Sequence, residues 1–169
     1  MNGRAFSLGY EANEVVEVVR LPYKGNDVAM TLFLPRPGVP LSKVRPRFRN
    51  LPKRKVRVSL PKFKLEKAQE LRPALESMGL VEAFDDQRAN FALMSPEFLK
   101  IDKVLHKAFV KVDEKGSEAA VATVVTVSRG VSQPSPSIHF KADRPFLFTI
   151  DHLPSKTMLF LGRIENPEG

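Results

Sequence analysis

The apolar positions of this 169-residue chain change period several times, and each change marks an element. VVEVVRLPY (15–23) is rich in β-branched residues and predicts a strand. KGND (24–27) is a turn. VAMTLFLP (28–35) is apolar almost throughout, the pattern of a strand buried on both faces, and the two strands make a hairpin. RPGVPLSKVRPRFRNLPKRK (36–55) is a proline-broken basic connector. In VRVSLPKFKLE (56–66), Val56, Val58 and Leu60 alternate with Arg57 and Ser59, which is the period of a strand. Pro61 interrupts that alternation and marks a bulge or an edge.

KAQELRPALESMGL (67–80) switches to helical spacing, with Leu71, Ala74, Leu75 and Met78 on one face and Gly79 suited to the C-terminal cap. Pro73 fits the first turn, so the helix starts near Leu71. Residues 81–98 are loop-like, with apolar anchors at Phe84, Phe91, Leu93 and Met94. LKIDKVLHKAFVKVDE (99–114) fits both periods, and the β-branched residues near its end favour a long strand. SIHF (137–140), RPFLFTIDH (144–152) and TMLFLGRI (157–164) read as three closing strands, the last two joined by the turn LPSK. Mostly strand with one clear helix, the chain is predicted to be α+β.

Composition adds three constraints. The 14 prolines against 9 glycines fit many short elements joined by rigid turns. With no cysteine, a disulfide framework and a thiolate metal site are excluded. No apolar run approaches a membrane span, so no membrane partner is expected, and MNGRAFSLGYEANE has no apolar core of signal-peptide length. Any secretion signal is expected upstream of this chain.

The net charge of +8 is local. Residues 43–57, KVRPRFRNLPKRKVR, hold eight basic residues and no acidic one, and the rest of the chain is neutral. Such a segment attracts polyanions such as heparin by counterion release, with Arg45, Arg47, Arg49, Lys53, Arg54 and Lys55 as the candidate contacts. The competing reading is a solvated connector. Catalytic chemistry has no comparable signal. His106, His139 and His152 lie far apart, without ligand spacing to one another. Phosphate-cradling glycine motifs, GxSxG and HExxH are missing, and Asp85 and Asp86 have no obvious acid/base partner. We therefore expect no metal, no cofactor and no enzymatic activity.

The remaining feature is DEKGSEAAVAT (113–123). As a strand it would place Ser117, Ala119, Val121 and Thr123 on one face and Glu118, Ala120 and Ala122 on the other. Small side chains at nearly every position would let it enter a narrow slot between strands. An ordinary linker has no need for Val121, Val124, Val125 and Val127, which favour strand.

GSEAAVAT (116–123) resembles the hinge of the serpins, typically a glycine, a Thr or Ser, a Glu, a run of alanines and a Thr. LHKAFVKVDEKG (105–116) looks like the strand leading into that hinge. ADRPFLFTI (142–150) and TMLFLGRIENP (157–167) are similar to the family's C-terminal signature and closing strands, and VVRLPYKGNDVAMTLFLP (18–35) and VSLPKFKLE (58–66) also fit.

The resemblance implies a single serpin-like domain over 1–169, with mostly antiparallel sheets, few helices and the family's N-terminal helical half lacking. It implies a reactive-centre loop over 116–137 that a serine protease cleaves and that then inserts into a sheet as a new strand. Glu114, Gly116, Ser117, Glu118, Ala119, Ala120, Val121, Ala122 and Thr123 would form the hinge. Counting from Gly116 by the family's loop length puts Gly130 before the bait bond, suited to an elastase-like protease, and counting back from Pro145 lands near Val131. Arg129, one residue earlier, is the only charged residue between Glu118 and Lys141, and its cation would suit a trypsin-like protease, so Arg129-Gly130 is the expected bond. Family habit places such a protein outside the cell. Insertion needs a strand on each side, and this chain supplies only the one ending near Val112, so the missing N-terminal half is an expected partner. The alternative is a non-inhibitory binding module for a polyanion, or a protease decoy.

Overall fold

The computed structural model describes residues 5–47, 50–113 and 137–167. Its strands are β1 (Phe6–Ala12), β2 (Val16–Pro22), β3 (Val28–Pro35), β4 (Lys53–Ser59), β5 (Phe63–Glu70), β6 (Leu105–Val112), β7 (Ile138–Lys141), β8 (Phe146–His152) and β9 (Thr157–Ile164). One short helix, α1 (Arg72–Ser77), lies between β5 and β6. The chain divides into two compact units, Met1–Phe63 with Val112–Gly169, and Lys64–Lys111.

The first unit is built on a seven-stranded sheet in the order β7-β4-β1-β2-β3-β8-β9. The β2–β3 hairpin forms where expected, with Val16 opposite Pro35 and Pro22 opposite Ala29. Its turn uses the left-handed region at Gly25 (φ 94°) and Asn26 (φ 64°), where those two residue types are tolerated. β3 is buried from Ala29 to Pro35, which explains its continuous apolar run: β2 and β8 flank it and both sheet faces are covered.

The two faces carry different cores. On one, Phe146 and Phe148 are buried, and the Phe63 ring meets them at centroid distances of 6.2 and 5.5 Å. On the other, Val16, Val18 and Phe33 pack with Val44, and Leu51 and Leu147 join them. Val44 and Leu51 belong to the proline-broken connector, so that segment covers the sheet and is not a free linker. A polar chain runs across β2, β3 and β8 on this second face. Arg20 Nε donates to Thr31 Oγ1 (3.3 Å), and the Thr31 and Thr149 hydroxyls both donate to Asp151 Oδ2 (2.9 and 2.7 Å). Thr31, Thr149 and Asp151 are all buried. Burial pulls the Arg20 guanidinium below its ordinary pKa, and the Asp151 carboxylate partly offsets that.

β1 was not anticipated, although Phe6, Leu8 and Tyr10 alternate with Ser7, Gly9 and Glu11. Its Tyr10 hydroxyl donates to Glu17 Oε2 (3.1 Å). Burial, then the Glu17 charge and this hydrogen bond, push the phenol up to about 12. A raised folded-state value stabilises the protein fully below the unfolded value near 10, and that contribution is lost as pH rises through 12. Urea unfolding should therefore show a midpoint that falls between pH 10 and 12, and Tyr10→Phe should flatten that limb while lowering the neutral-pH midpoint slightly. An equal alkaline slope in both proteins would refute the assignment.

Residues 56–66 are not one strand with a bulge. Pro61 sits in a three-residue break between β4 and β5, with β4 starting at Lys53, inside the expected connector. β4 stays in the seven-stranded sheet while β5 pairs with β6.

In the second unit, β5 and β6 form a two-stranded sheet. Contacts between Lys64 and Phe109, Glu66 and Lys107, and Leu71 and Val104 run in opposite senses along the two strands, so the pair is antiparallel. Residues 67–70, which precede the expected helix start near Leu71, extend β5. α1 then starts at Arg72 with Pro73 in its first turn. Gly79 (φ 97°) ends it, as its position predicts. The helical stripe is not fully covered: Met78 is 81% exposed. Of the loop anchors, Phe84 is buried beneath the Arg72 guanidinium (5.2 Å), whereas Leu93 and Met94 are exposed. Among the described residues no helix is long and apolar enough to cross a membrane.

Candidate functional site

The hinge, Glu114 and 116–123, and the bait positions Arg129, Gly130 and Val131 lie outside the described residues. The described strands nearest them in sequence are β6, before, and β7, after.

β6 is shorter than expected, because residues 99–104 do not join it. Ala108, Val110 and Val112 are half-buried along one side, and Leu105, Lys107, Phe109 and Lys111 are exposed on the other. Its hold on β5 is local. Val104 N donates to Glu70 Oε1 (2.9 Å), Leu71 N donates to the Val104 carbonyl (2.8 Å), and Lys107 pairs with Glu66 at 2.7 Å. Among the described residues β5 is its sole sheet partner, and no described strand pairs with the other edge of β6.

β7 has only four residues and forms the far edge of the seven-stranded sheet. It runs parallel to β4, with Val56 opposite Ile138, Arg57 opposite His139 and Ser59 opposite Lys141. Phe140 anchors it by complete burial. Two further bonds secure its end: the Ser59 hydroxyl lies 2.9 Å from His139 Nε2, and Ala142 N donates to the Ser59 carbonyl at 2.9 Å. Beyond it, Asp143 meets Lys141 (3.4 Å) and Arg144 (2.9 Å). Slight desolvation raises the Asp143 carboxyl, but its hydrogen bonds with Lys141 and Arg144 outweigh this and hold it below the usual carboxylate value.

The basic segment is partly a strand. Arg45 and Arg47 are exposed on the connector, and Arg49 lies outside the described residues. Lys53, Arg54 and Lys55 belong to β4, where alternation puts Lys53, Lys55 and Arg57 on one face and turns Val56 into the core. The connector is held close to this face: Leu51 packs on Gly9, where an added Cβ would lie 2.9 Å from the Leu51 Cβ, and Tyr10 N donates to the Pro52 carbonyl (2.9 Å). β7 brings His139 and Lys141 to the same face. Sequence reasoning left these two and Arg57 out of the candidate contacts. The alternation in KRKVR could have placed Arg57 beside Lys53 and Lys55, but no local signal pairs residue 57 with residue 139.

Comparison with known proteins follows this geometry. The sequence profile of the family described as "Serpin (serine protease inhibitor)" matches residues 1–167. Human Serpin B8 is 38% identical over 96% of this chain, which covers 46% of that protein. Human antithrombin-III is 35% identical over 91% of the chain, covering 36% of that protein. Among solved structures, native protease nexin-1 with heparin aligns with a TM-score of 0.77 at 28% identity, covering 96% of this chain and 46% of that one. The chain thus spans less than half the length of these relatives and matches them with the sheet-rich α+β architecture expected for a partial member. The chain belongs to the serpin family.

Proposed function

We propose that this chain carries the bait and the moving strand of a serpin-type serine protease inhibitor acting outside the cell. A trypsin-like protease attacks at Arg129-Gly130, forming an acyl-enzyme. Segment 116–123 then inserts beside β6 before hydrolysis completes, and stored strain is released in that step. The observation that carries this reading is the hinge-like GSEAAVAT, in family order between β6 and β7. That no described strand pairs with the second edge of β6 supports it, since an entering strand needs unpaired backbone groups beside it. Small Ser117, Ala119, Val121 and Thr123 make entry fast, and the wall opposite β6 comes from a complementary N-terminal half. The protein itself performs no catalysis.

Incubation with trypsin and with an elastase, followed by a denaturing gel and mass analysis, tests this. A denaturant-resistant complex, with the released peptide mass marking cleavage after Arg129, is the expected result. Clean cleavage with full protease activity remaining would replace inhibition by a decoy role, and no cleavage would overturn both. Cleavage after Gly130 would move the target to an elastase-like enzyme.

A second reading rests on the cations of β4, which pair with no described carboxylate: the same chain binds a polyanion of the heparin type. The protease nexin-1 structure contains heparin.

A further inference from the structure

Several basic side chains elsewhere in the described protein are paired. Arg36 meets Glu17, Arg72 meets Glu76, Arg88 meets Asp85, Lys107 meets Glu66 and Arg163 meets Glu165. The β4 face differs. Lys53, Lys55 and Arg57 make no ion pair with a described carboxylate, and Arg57 Nε is buried without a hydrogen bond. The row spans about 13 Å at the strand repeat. Beside it, across a parallel pairing, lie His139, exposed, and Lys141, whose side chain is 63% exposed.

We propose that this two-strand face binds a sulfated polysaccharide and that the bound chain acts as a clamp, holding β7 onto β4. The proposal rests on the polyanion reading above and extends it. A polyanion touching Lys53, Lys55 and Arg57 on one strand and Lys141 and His139 on the next contacts the site in full only while the strands are paired. It therefore binds the docked form of β7 better than the detached form, and stabilises docking by that difference. β7 is the element such a ligand can affect most: it has four residues, one neighbour and one fully buried side chain. A polysaccharide fits better than a nucleic acid. Sulfate groups need only cations and donors, whereas the face offers no Phe, Tyr or Trp on which bases could stack.

The test is hydrogen exchange of the 169-residue chain with and without a heparin-derived octasaccharide. With the sugar at ten times its Kd, exchange of the 138–141 amides should slow about two- to threefold, the ratio expected when the detached form still binds through β4 a few-fold more weakly. The double variant His139→Ala, Lys141→Ala should still bind through β4, within a few-fold of the parent Kd, yet lose most of the sugar-dependent slowing. Elution from heparin resin below physiological salt would overturn the polyanion reading itself. Binding without slowing at 138–141, or full slowing in the double variant, would overturn the clamp alone. Equal affinity for a DNA duplex of matched charge would overturn the choice of polysaccharide.

Discussion

Replacing Gly162 with alanine is expected to destabilise the first unit by about 3 kcal/mol or more, a large fraction of a typical domain's stability. Gly162 of β9 lies directly opposite Phe148 of β8. A Cβ built on it would fall 2.3 Å from two atoms of the Phe148 ring, well inside van der Waals contact. The ring cannot move aside, because Phe148 is 1% exposed and Phe63 packs against it at 5.5 Å. An aromatic ring over a glycine on an edge strand is a known way of covering the bare backbone. Phe148→Leu should lose packing alone but relieve the clash when combined with Gly162→Ala. The double variant should then be more stable than the sum of the two losses predicts, by about 1 kcal/mol or more. Urea midpoints of the four proteins measure this, and strict additivity would show that the ring does not fill the glycine's space.

Asp151→Ala is expected to cost about 3 kcal/mol. The carboxylate accepts from both Thr31 and Thr149, and removal strands two buried hydroxyls at once. It also takes away the negative charge that offsets the desolvation of Arg20. Asp151→Asn keeps an acceptor oxygen and should lose distinctly less. Combining Asp151→Ala with Thr31→Val and Thr149→Val removes the stranded hydroxyls and should recover part of the loss. An unfolding midpoint for Asp151→Ala within error of Asp151→Asn would mean that water reaches the threonines.

Strands written as continuous apolar runs were legible in the sequence, whether buried, as β3 is, or largely exposed, as Met158–Leu161 of β9 are. β3 and β9 have their predicted limits because VAMTLFLP and TMLFLGRI are apolar runs closed by turn residues. Only the second half of β5 was hidden: FKLE (63–66) falls in the expected strand, whereas KAQE (67–70) favours a helix and pairing with β6 overrides that local preference. β1 was visible as an alternation but short and interrupted by Gly9, whose lack of a side chain makes room for Leu51. The hinge was legible as a motif of small residues, and the basic run as a charge excess. The cationic face was not, since it exists only when a parallel pairing sets Arg57 beside His139, and no local rule predicts long-range register.

The central pairing of β3 with β8, which sets Leu32 opposite Phe148, also fixes when the protein can fold. During synthesis β3 leaves the ribosome well before its partner, with the whole second unit made in between. Until β8 emerges, Leu32 and Phe33 border an apolar edge that no described strand before it closes. The first unit is therefore completed only after the second has been synthesised. A nascent chain stalled before residue 146 would be a substrate for chaperones, with a hairpin but no finished core.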